Sequence, residues 1–135
     1  MAVSIKVNSI VDEIGAPGFL HSFFSTISAH ADGGRWGSRF PQLFRLYDGR
    51  VPAHEAAGAL AELREAKAIL SKLSPSAVVW DVENRSAEPP WGTTISPHIT
   101  SLGNYFVSST GRDLFALLEE ALESAEQQGQ DASIE

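Results

Sequence analysis

The chain has 135 residues, no cysteine and a formal net charge of −7. That length sustains a hydrophobic core in a single domain, and the missing cysteine excludes a disulfide scaffold, a thiolate metal site and a cysteine nucleophile. The charge is unevenly placed: residues 1–112 carry 10 acidic and 10 basic groups, whereas residues 113–135 carry 7 acidic groups and no basic one. Such a field argues against nucleic acid, whose phosphates require Lys or Arg clusters, and favours a basic protein partner.

Val3, Ile5 and Val7 alternate with Ser4 and Lys6, which predicts a half-buried strand over residues 2–8 and leaves no apolar run of signal-peptide length there. No run of about 18 apolar residues occurs anywhere, so a cytoplasmic protein that does not enter membranes is expected. Ile10, Val11 and Ile14 fit either a second short strand or a bend. Phe19, Leu20, Phe23, Phe24 and Ile27 then recur at helical spacing behind Pro17, which predicts a helix over residues 18–31. His21 and His30 on this helix are expected to pack rather than to bind metal.

Residues 33–41 read GGRWGSRFP. The glycines open backbone angles closed to other residues, so this loop is expected to have a defined shape. Two readings of it stand together. In one, Trp36 and Phe40 cover the core edge with Arg35 and Arg39 packed on the aromatics. In the other, Trp36 and Arg39 form a ridge of the residue types enriched at binding hot spots.

Pro41, Leu43, Phe44, Leu46 and Tyr47 predict a short second helix ended by Asp48 and Gly49. Residues 53–73 carry Ala56, Ala59, Leu60, Leu63, Ala66, Ile69, Leu70 and Leu73 as a 3.6-period stripe with charges opposite, the signature of an amphipathic surface helix. Residues 77–82, AVVWDV, predict a strand by β-branched content and alternation, with Val78, Trp80 and Val82 on one face and Val79 and Asp81 on the other. The following loop to His98 holds three prolines and Trp91 without any period; either a stiff Pro-Pro-Trp-Gly presents its aromatic to a partner at low entropic cost, or Trp91 lids the core beside Trp80. Residues 104–108 predict another strand. Leu114, Phe115, Leu117, Leu118, Ala121, Leu122 and Ala125 form the apolar face of a last helix, and from about Gln127 the polar tail is expected to fray.

Chemistry is sparse. No Gly-x-Ser-x-Gly elbow occurs, and the glycines at 33–37 lie between helices without a phosphate-binding lysine motif. Asp81 and Glu83, one residue apart, share a strand face, and with His98 they could form an acid-base or metal-assisted site.

Taken together, FLHSFFSTI from Phe19, WGSRFP from Trp36, VWD from Val79, PPWG from Pro89, ISP from Ile95, NYF from Asn104 and DLF from Asp113 carry a resemblance. In order and spacing they resemble the bacterial polymorphic-toxin immunity proteins of the family numbered seventy, over about nine-tenths of the chain. The resemblance implies a small α+β protein without catalysis that binds the C-terminal domain of a secreted toxin and protects the producing cell.

The sequence therefore predicts an α+β fold, a small mostly antiparallel sheet of three to four strands packed with about four helices. It forms one domain over residues 1–127 with a frayed acidic tail over 128–135. Trp36, Arg39, Asp81, Glu83, Glu88 and Trp91 are the expected partner-binding residues, with no catalytic residue, metal or cofactor. The aromatics would anchor and the carboxylates would mimic phosphate if the toxin is a nuclease. Two alternatives stand: the Asp81, Glu83 and His98 enzyme, and an interaction module dimerising through the acidic last helix. Monomer and dimer are both compatible with the sequence.

Overall fold

The computed structural model describes residues 2–33, 35–36, 38–84, 86–88 and 96–135. Strands β1 (Val3–Val7) and β2 (Ile10–Gly15) form an antiparallel hairpin closed by Asn8 and Ser9, with Asn8 in the left-handed region at φ 56°. Helices α1 (Pro17–Ala31) and α2 (Pro41–Tyr47) follow, then β3 (Arg50–Val51), a 3-10 turn at Ala53–Glu55 and helix α3 (Ala56–Leu70). A 3-10 turn at Pro75–Ala77, helix α4 (Leu114–Gln128) and β4 (Ala132–Ile134) complete the chain. The sheet is antiparallel with strand order β2-β1-β4-β3, and α3 packs on α4. Among the described residues, the α+β architecture with four strands and four helices agrees with expectation.

Helix α1 lies at the centre. No charged side chain interrupts Pro17–Ala31, and Phe23, Phe24, Ile27 and even Ser22, Ser25, Thr26 and Ser28 are fully buried. Phe23 meets Phe24, Phe106 and Phe115 edge-on at ring separations of 5.4, 5.3 and 4.9 Å, geometries that add to the burial of apolar area.

Three expectations are corrected. Residues 77–82 form no strand, because the main-chain groups a ladder would use are taken by α1. Val79 N–H donates to Thr26 Oγ1 at 3.1 Å, and Val79 C=O accepts from Ser22 and Thr26 hydroxyls at 2.9 and 3.0 Å. His30 Nε2 bonds Ala77 C=O at 2.7 Å, so Ser22, Thr26 and His30, on one helix face, act in place of a neighbouring strand. Only Val79 of that segment is buried, and Val78, Trp80, Asp81 and Val82 are half-buried, so the expected two-faced alternation is absent.

Residues 104–108 likewise form no strand. Tyr105 and Phe106 are both buried, and neighbouring buried residues are incompatible with a period of two. A single bridge joins Val107 to Asp113, and Leu114 N–H bonds Phe106 C=O at 2.9 Å, closing a tight loop onto the start of α4.

The tail does not fray. Gly129 ends α4 at φ 64°, with Gln130 N–H returning to Ala125 C=O at 3.0 Å. This left-handed cap reverses the chain. Ala132–Ile134 then enters between β1 and β3, with Ala132 fully buried.

The last helix and tail also find their own cations. Glu119 pairs with Lys67 (3.4 Å), Glu120 with Arg112 (2.7 Å), Glu123 with Arg64 (2.5 Å), Asp131 with Arg50 (3.2 Å) and Glu135 with Lys6 (4.0 Å). Five of the seven acidic groups in residues 113–135 thus meet basic groups from the rest of the chain.

Helix α2 lacks a capping side chain of its own; Glu62 of α3 accepts from Gln42 and Leu43 N–H, each at 3.0 Å. Burial pushes the Glu62 carboxyl above its ordinary value, outweighing those two hydrogen bonds, and the charges of Glu65 and Asp32 add to the rise. A raised folded pKa means a contribution to stability that is complete at low pH and is lost as pH rises above about 4.5. Glu62→Gln keeps the acceptor without the charge, so its urea-unfolding free energy should gain on the wild type between about pH 4 and pH 7. Glu62→Ala leaves two N–H groups unsatisfied and should cost about 1 kcal/mol.

Candidate functional site

The connection from α1 to α2 is built on Asp32, which is buried at the end of α1. Its carboxylate accepts from Ser38 N–H at 3.0 Å and from Arg39 N–H. Its carbonyl accepts from Arg35 N–H at 3.1 Å. Gly33, at φ 64°, makes the reversal that a side chain would strain. Asp32→Ala removes an anionic acceptor from two part-buried hydrogen bonds and should lower unfolding free energy by about 2 kcal/mol in a urea titration. Asp32→Asn, which keeps one oxygen, should lose less.

The loop so folded lays Trp36 against four rings. Phe44 and Tyr47 meet it edge-on at 4.9 and 5.1 Å, His21 stacks at 5.7 Å with an interplanar angle of 29°, and Phe24 lies at 6.4 Å. Trp36 is nevertheless 39% exposed, whereas Phe40 is fully buried. The indole therefore both covers the core edge and faces outward.

His21 ties three parts of the chain together. Its Nε2 lies 3.0 Å from Asp81 Oδ1 and its Nδ1 lies 2.8 Å from the Tyr47 hydroxyl. Through these two ring nitrogens α1, the end of α2 and residues 81–83 are held by one hydrogen-bonded chain. The His21 bond holds the Asp81 carboxyl below its usual range, helped by Glu83 N–H, which donates to Oδ1 at 3.0 Å. Tyr47 shifts upward because it is desolvated and faces the negative charges of Glu83, Asp81 and Asp48.

These residues surround an open cavity of ≈ 500 Å³ lined by His21, Ser28, Trp36, Tyr47, Val82 and Glu83. It has aromatic walls and an acidic rim. Among the described residues no three His, Asp or Glu side chains converge as metal ligands, and no helix is long and apolar enough to cross a membrane.

A family model described as immunity protein 70 matches residues 5–134. The chain belongs to that family. Neither curated proteins nor solved structures yield a match. Membership of an immunity protein family points to a toxin as the protein partner and to a role without catalysis.

In this immunity protein 70 member, three of the sequence-predicted residues, Trp36, Asp81 and Glu83, come together around His21. Arg39 does not line the cavity. Its guanidinium pairs with Glu65 of α3, reaches Ala31 C=O at 3.4 Å and lies 5.5 Å over the Phe40 ring. Glu88 is exposed, His98 is exposed, and Trp91 lies outside the described residues. His21 as a linchpin, Tyr47 and Ser28 were not recognised from sequence. The available signal was polar spacing on an uncharged helix: His21 and Ser28 are seven residues apart, two turns on one face.

Proposed function

We propose that this chain is an immunity protein that binds and neutralises the C-terminal domain of a cognate polymorphic toxin in the bacterial cytoplasm, as a stoichiometric inhibitor. The observation that carries this reading, beside the family match, is the aromatic and acidic cavity at residues 21, 36, 47 and 83, the described surface where an exposed indole and carboxylates stand together. Trp36 supplies a rigid anchor, and Asp81 and Glu83 supply the charge that selects a basic surface. Arg39 and Glu88, both exposed, and Trp91, which lies outside the described residues, complete the proposed set of partner-binding residues. Because Asp81 is already oriented by His21 and Glu83 N–H, its carboxylate needs little reordering on binding.

The test is co-expression with the C-terminal domain of the cognate toxin, sought as a large secreted protein encoded next to this chain. Growth rescue and a co-purifying complex are the expected results. Continued killing with both proteins soluble and no complex would refute the immunity reading for that pair.

A further inference from the structure

We propose that the cavity walled by His21, Trp36 and Tyr47 receives a cationic side chain, an arginine, presented by the toxin. The inference rests on the reading above and adds the chemistry of the group that enters. Trp36 and Tyr47 offer ring faces and edges to a flat cation, and the indole is the side chain that attracts cations most strongly. Glu83 lines the same cavity, and among the described residues neither it nor Asp48 forms an ion pair. Both carboxylates, with Asp81, act on Tyr47 together. While most acids of α4 and the tail meet this chain's own Lys and Arg, the carboxylates here leave negative charge for an incoming group.

A second observation points to the same occupant. Ser28 is fully buried and lines the cavity, yet its Oγ has no hydrogen-bond partner among the described residues. Buried hydroxyls are ordinarily satisfied. A guanidinium, with five N–H donors in a planar fork, can lie on an aromatic face while donating at its edge to both a hydroxyl and a carboxylate, which a tetrahedral ammonium does less well. A volume of ≈ 500 Å³ falls within the range of about 300–1,000 Å³ typical of cavities that take small ligands. An anionic side chain would meet the Glu83 carboxylate, and an aliphatic one would leave Ser28 Oγ and Glu83 uncompensated.

The probe is N-acetyl-arginine amide titrated into the isolated full chain, with side-chain NMR signals of Trp36, Tyr47 and His21 as readout and the uncharged N-acetyl-citrulline amide as control. Saturable shifts on those three side chains are expected in the millimolar range, with citrulline producing none. Glu83→Gln should weaken the arginine response about fivefold. Ser28→Ala should weaken it as well while melting no lower than the wild type, since the hydroxyl it removes makes no bond in the free chain. Absence of saturable shifts with arginine, an equal response to citrulline, or an undiminished response in Glu83→Gln would each overturn the inference. A chain that rescues growth but ignores the arginine probe overturns this inference and leaves the immunity reading standing. One that takes the probe but neither rescues nor co-purifies overturns the immunity reading, and with it the toxin as the source of the arginine, while the cavity's selectivity for arginine stands.

Discussion

Deleting residues 131–135 should abolish the cooperative fold or lower its stability by about 4 kcal/mol or more, a depression of melting temperature of about 15 °C or more by circular dichroism. The segment is short and polar, but β4 is the strand between β1 and β3. Removing it leaves two strands with unpaired inner edges, exposes the core beneath Ala132, and takes away the Asp131 carboxylate that accepts from Ala53 N–H at 2.8 Å and pairs with Arg50. Buried main-chain groups without partners are costly, and two-residue β3 has no other strand to pair with among the described residues. A truncated chain melting within a few degrees of the full one would show that the tail is peripheral.

Trp36→Ala should weaken toxin binding by about 2 kcal/mol or more, roughly thirtyfold in Kd, measured by titration calorimetry at a temperature where the variant is folded. The indole combines the features of an anchor. It is held by Phe44, Tyr47 and His21 from behind, its loop is fixed by Asp32, and over a third of it faces solvent. An ordered aromatic loses little entropy when a partner covers it. Val107→Ala is the control: that side chain is 45% exposed, and its loss should leave affinity unchanged. Equal effects of the two substitutions would remove Trp36 from the interface.

Periodic segments were legible in the sequence. The alternation of Val3, Ile5 and Val7, the phenylalanine spacing of α1 and the stripe of α3 gave elements at the observed places, because in each the buried face follows one repeat. Residues 77–82 misled for a physical reason: β-branched side chains suit an extended backbone whether its partners are another strand or, as here, Ser22, Thr26 and His30. Tail strand β4 was hidden by its polar surroundings, although Gly129 directly after the helix and the small buried Ala132 were the available signs of a reversal. At the candidate site, composition drew attention to Trp36, Asp81 and Glu83. What brings them together is His21 bonding to Tyr47 26 residues away and to Asp81 60 residues away, contacts that no local spacing encodes.

The charge distribution carries the same lesson. Counting along the chain puts all net acidity in residues 113–135, which suggests the last helix as the surface for a basic partner. Folding pairs Glu119, Glu120 and Glu123 with Lys67, Arg112 and Arg64. Exposed pairs of this kind add little stability, but they reduce the field of the helix that bears them. Asp48 and Glu83, scattered in sequence among basic residues, have no such cationic neighbour among the described residues.

Hydrogen exchange on the purified complex with the toxin domain, compared with the free chain, tests the binding surface most directly. Added protection should concentrate at residues 35–39 and 81–84 and at the end of α2 near Tyr47, with the β1–β2 hairpin and the outer face of α4 unchanged. Protection confined to the hairpin or to α4, with residues 35–39 and 81–84 exchanging as in the free chain, would contradict the assignment of this cavity to the toxin.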